Sequence, residues 1–69
     1  MYTLTITTSA GAVSHTYPTL PLAVVEVDCV THGALGGKGL ADLYTEVQIN
    51  GGAIRQISVY LVLLTKYAH

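Results

Sequence analysis

The chain has 69 residues, 51% of them apolar and only 10% charged, against a usual charged share of about 25%. That length accommodates one domain, so residues 1–69 are read as a single unit, and the apolar content excludes disorder. Lys38, Arg55 and Lys66 stand against Glu26, Asp28, Asp42 and Glu46, a formal charge of −1. Three cations are too few for the roughly six or more phosphates that a duplex-binding surface contacts, so nucleic acid is not an expected partner.

Tyr2, Leu4 and Ile6 alternate with Thr3, Thr5 and Thr7, the period-two pattern of a half-buried strand. Ser9 to Ala12 supplies a turn, and Val13 to Tyr17 reads as the returning strand. Pro18 and Pro21 then mark a helix start, with Thr19 as a capping hydroxyl and Pro21 in the first turn, where a missing N–H costs nothing. Leu20, Ala23, Val24, Val27, Val30 and Ala34 fall on one face at helical spacing, and Gly33 is expected to close the helix in the left-handed conformation. The β-branched run Val24 to Val30 leaves a strand as the alternative over residues 20–34.

Residues 32–40 hold four glycines and read as a connector. Leu43, Thr45, Val47 and Ile49 alternate with Tyr44, Glu46 and Gln48, which predicts another strand. Asn50-Gly51-Gly52 is a hairpin signal, and a last strand is predicted from about Ala53 to Leu64. Apolar residues on both faces beyond Tyr60 place that strand inside the sheet. The expected fold is α+β: a two-layer ββαββ domain, with one helix on one face of a four-stranded antiparallel sheet. An all-β arrangement of five short strands is the alternative. Leu4, Ile6, Val47, Ile49, Ile57, Val59 and Leu61 are the expected sheet contribution to the core, so Val59→Ala is expected to destabilise the fold.

No catalytic pattern is present, and no enzymatic activity is expected. Asp28, Cys29 and His32 make half of a zinc site at best, needing His15 or His69 to complete it. They also lie too close together on one helix to clasp a substrate. No metal and no cofactor are expected. Gly36, Gly37, Lys38 and Gly39 resemble a phosphate loop superficially, with a lysine but no hydroxyl after it; a small anion nest is the functional reading and a plain connector the ordinary one.

The surplus hydrophobicity is more informative. Leu22, Val25 and Cys29 form a second helical stripe interrupted by Glu26, and Tyr60, Val62 and Leu64 are expected on the sheet face away from the helix. Uncovered apolar patches of this kind mark protein contacts, and five tyrosines, at positions 2, 17, 44, 60 and 67, suit interface anchors. Tyr60→Ala is therefore expected to weaken association more than the monomer.

In size, absence of catalytic groups and surplus surface, the chain resembles in type the small inhibitor and accessory proteins of phages and mobile elements. The expectation is a protein-interaction module acting by occlusion, a homodimer with a protein partner. The alternative is a nucleotide- or anion-binding sponge whose pocket forms on oligomerisation. Met1 to Leu4 shows neither a basic region nor an apolar stretch, and the longest nearly apolar run, Ile57 to Leu64, falls short of the roughly twenty residues of a membrane span. No membrane association and a cytoplasmic location are expected.

Overall fold

A computed structural model describes residues 1–66. Strands β1 (Tyr2–Thr8) and β2 (Gly11–Tyr17) form the first hairpin, followed by helices α1 (Leu20–Val30) and α2 (Gly36–Asn50) and a second hairpin, β3 (Gly52–Ile57) and β4 (Tyr60–Lys66). The four strands make one antiparallel sheet in the order β2-β1-β4-β3. Both helices pack on the same face, α1 chiefly over β1 and β2, α2 over β3 and β4. This is the expected two-layer α+β domain with a second helix added.

The first hairpin and α1 match the sequence expectation. Thr19 occupies the N-cap position with extended backbone, but its hydroxyl makes no capping bond. At the other end His32, not Gly33, is the first left-handed residue (φ 55°). The His32 N–H donates to the Cys29 carbonyl and the Gly33 N–H to the Asp28 carbonyl, the paired bonds of a Schellman closure. Buried Thr31 donates its hydroxyl to the Val27 carbonyl at 2.7 Å. Ala34 is exposed and lies beyond the helix.

The predicted third strand is a helix. Leu43 and Val47, four residues apart, are wholly buried, and Leu40 and Tyr44 pack beside them. That is a helical stripe, and it coexists with the alternation in the same residues. Ile49 decides between them: a strand would turn it inward, whereas on α2 it is 76% exposed. Residues 36–39, predicted as a connector, are the first turn of this helix. The Asn50-Gly51-Gly52 signal is also spent differently. Gly51, at φ 80°, is the left-handed cap of α2, its N–H donating to the Val47 carbonyl at 2.9 Å.

The long last strand is two strands. Ser58 takes φ 55° and, with Val59, turns the chain so that Ile57 pairs with Tyr60. The side-chain amide of Gln56 braces the turn, donating to the Ser58 and Tyr60 carbonyls at 3.2 Å each. β4 does lie inside the sheet, between β1 and β3. The turn inverts its faces, however. In a straight strand Ile57, Val59 and Leu61 share a side; here Ile57 shares it with Tyr60, Val62 and Leu64. Val62 and Leu64 are therefore fully buried under the helices, while Val59 (71% exposed) and Leu61 are not core residues. The core is completed by Leu4, Leu20, Ala23, Val27 and Ala53.

Candidate functional site

The predicted interface residues separate into two groups. Leu22, Val25 and Cys29 lie exposed on the outer side of α1, as the second stripe required. Val62 and Leu64 are not available to a partner, because they fill the core of this chain, and Tyr60 is half-buried against it. Tyr2, Tyr17 and Tyr44 likewise pack on the core, leaving their rings largely committed to the chain itself. Tyr67 and His69 lie outside the described residues.

The face of the sheet away from the helices follows from strand alternation. The register aligns Thr5, Ser14, Leu63 and Ile54 across it, flanked by Thr7, Ala12, Leu61 and Gln56 on one side and Thr3, Thr16 and Thr65 on the other. Ile54 is 56% exposed, with Leu61 and Leu63 close to two-fifths. A hydroxyl pair, Thr5 and Ser14 at 2.8 Å, ties β1 to β2 there. None of these side chains carries a charge. Sequence reading anticipated an uncovered apolar sheet face but assigned it the wrong residues, since it missed the turn at Ser58.

A groove of about 250 Å³ opens between α1 and β2. Leu4, Ile6, Val13 and Val30 form its apolar lining, with His15, Tyr17 and Glu26 among its walls. α1 covers the edge strand β2 only in part, leaving its inner-facing Val13 58% exposed. Burial and the negative charge of Glu26 together push the Tyr17 phenol above its ordinary pKa of about 10. The sequence signal for this groove is the carboxylate that interrupts the apolar stripes of α1.

Gly36, Gly37, Lys38 and Gly39 start α2, with Lys38 exposed and no acidic residue in the first turn. The segment does open a helix, as phosphate loops do, yet it follows a helical turn rather than a strand. Asp28 is half-buried, Cys29 and His32 are exposed, and His15 stands across the groove on β2. Among the described residues no three His, Cys, Asp or Glu side chains are grouped to hold a metal ion. No described helix is long and apolar enough to cross a membrane. No family model matches the chain, and no curated protein or solved structure shows significant similarity to it.

Proposed function

We propose that the chain is a non-enzymatic protein-interaction module of the inhibitor or accessory type, working in the cytoplasm by covering part of a partner's surface. The observation that carries this reading is the open sheet face, with exposed Ile54, Leu61 and Leu63 among threonines and no charge. Such a face offers hydroxyls but no charge, while its flat apolar centre suits docking. The test is capture of a partner by the immobilised chain from an extract of the cells that make it. Leu63→Lys, on the outer face, is expected to abolish specific capture while the variant still unfolds in a single cooperative thermal melt. Undiminished capture by that variant overturns the use of this face.

The second reading, a small-molecule binder, is favoured by the groove between α1 and β2. Its apolar lining with one carboxylate fits an apolar or cationic ligand rather than a nucleotide; an anion is better served by the start of α2 with Lys38. Thermal shift separates these ligands, since occupancy at 100 times the dissociation constant adds about 2.7 kcal/mol. A shift with hexylamine that is lost in Glu26→Gln supports the groove, and a nucleotide shift lost in Lys38→Ala supports the helix start.

A further inference from the structure

We propose that two copies of this chain join edge to edge along β2, giving one continuous eight-stranded antiparallel sheet with all helices on one side. The proposal stands apart from the outer-face reading, because it uses the rim of the sheet and not its face.

β2 is an edge strand whose residues from Gly11 to Thr16 are all exposed. Edge strands present unpaired N–H and C=O groups, and proteins normally guard them with charges, proline, bulges or a covering element. β2 has none of these. It contains no lysine, arginine, carboxylate or proline, and its register with β1 runs unbroken from Tyr2 and Tyr17 to Thr8 and Gly11. The opposite edge, β3, carries Arg55, an inward-facing charge whose guanidinium meets Glu46 of α2.

The sequence of β2 is complementary to itself. Pairing two copies antiparallel about Ser14 sets Gly11 opposite Tyr17 and Val13 opposite His15 on the helix side. Ala12 then faces Thr16 on the outer side. The largest side chain meets the residue that has none, and no like charges are opposed. This register also keeps both helix layers on the same side, since directly opposed residues point the same way.

The edge alone, about 23 Å long, is too narrow for the roughly 1,200 Å² that a stable interface buries. The groove adds apolar surface beside that edge. It lies under the flank of α1 beside β2, and a second copy would bring its own α1 to the open side. By 100° steps around α1, exposed Leu22 lies next to Glu26 on its outer side, so the outer apolar stripe of the helix borders the place where the copies meet. Glu26 and the chain's own His15 both wall this groove, and the second copy would bring its His15 to the open side opposite Val13.

Cross-linking tests the register directly. In a Cys29→Ser background, Ser14→Cys is expected to oxidise rapidly to a disulfide dimer, and an equimolar mixture of Ala12→Cys and Thr16→Cys to a mixed dimer. Thr45→Cys, on the exposed side of α2, serves as the control. Sedimentation of the unmodified chain is expected to give twice 7.3 kDa, Val13→Lys to return it to monomer with its fold intact, and Leu63→Lys to leave the dimer in place. A monomer at all concentrations up to 1 mM, or oxidation at position 14 no faster than at 45, overturns the proposal.

Discussion

Glu46 of α2 and Arg55 of β3 meet at 2.6 Å, the ion pair that fastens the second helix to the edge of the sheet. The same guanidinium donates to the Ile54 carbonyl at 2.9 Å. Both side chains are roughly one-third exposed, so water and salt weaken the attraction. Arg55→Ala is expected to cost about 0.2–1 kcal/mol in urea melts, with the difference narrowing in 1 M NaCl. A loss that is unchanged by salt would assign the effect to the packing of the arginine stem.

The inverted faces of β4 give a sharper contrast. Leu64 is fully buried and Leu61 points away from the helices. Leu64→Ala is expected to cost about 2–5 kcal/mol, whereas Leu61→Ala and Val59→Ala stay below about 1 kcal/mol. Denaturant unfolding at dilutions that suppress association measures all three. The reverse order would mean that the strand continues straight through Ser58.

Gly51 caps α2 at a φ that disfavours any side chain. Gly51→Ala is expected to lose about 1–2 kcal/mol, and Gly51→Asn noticeably less, because asparagine tolerates the left-handed region. Equal stability of the parent chain and the Gly51→Ala variant in thermal melts would show that the cap relaxes.

Tyr17 predicts alkaline behaviour. Its phenol is held above the ordinary value by burial first and by the charge of Glu26 second. The unfolded chain therefore releases this proton at lower pH than the folded one. The stabilisation is present below about pH 10 and is lost as pH rises through the folded value. Tyr17→Phe is expected to flatten the fall of stability between about pH 9 and 11, and Glu26→Gln to flatten it in part. A Tyr17→Phe profile parallel to the parent's would remove this phenol from the alkaline transition.

The first hairpin and the start of α1 were legible because their signals are local and redundant: alternation in Tyr2 to Thr7, a turn after Thr8, Pro18 before α1 and Pro21 in its first turn. The segment from Leu43 to Ile49 was not, because Leu43, Val47 and Ile49 satisfy alternation while Leu40, Leu43, Tyr44 and Val47 satisfy a helix. Only packing discriminates between the two. Asn50-Gly51 announced a positive φ correctly but could not say whether it ends a helix or turns a hairpin. Ser58 gave no warning, since a left-handed non-glycine residue is uncommon, and this one reassigned every side chain after it. The exposed ridge of Leu22, Val25 and Cys29 was readable from α1 alone; the α1–β2 groove required knowing how far across the sheet that helix reaches.

The first turn of α2 gives the molecule an uneven resistance to opening. Three of its first four residues are glycines and no side chain caps it, while each glycine gives up close to 1 kcal/mol of helix propensity relative to alanine. The far end is fixed by Gly51, the buried pair Leu43 and Val47, and the Glu46–Arg55 bridge. α2 thus frays from one end only. Its amide protons near Gly37 and Lys38 are expected to exchange with solvent before those around Val47, which would make the junction between the two helices the first part of the domain to open.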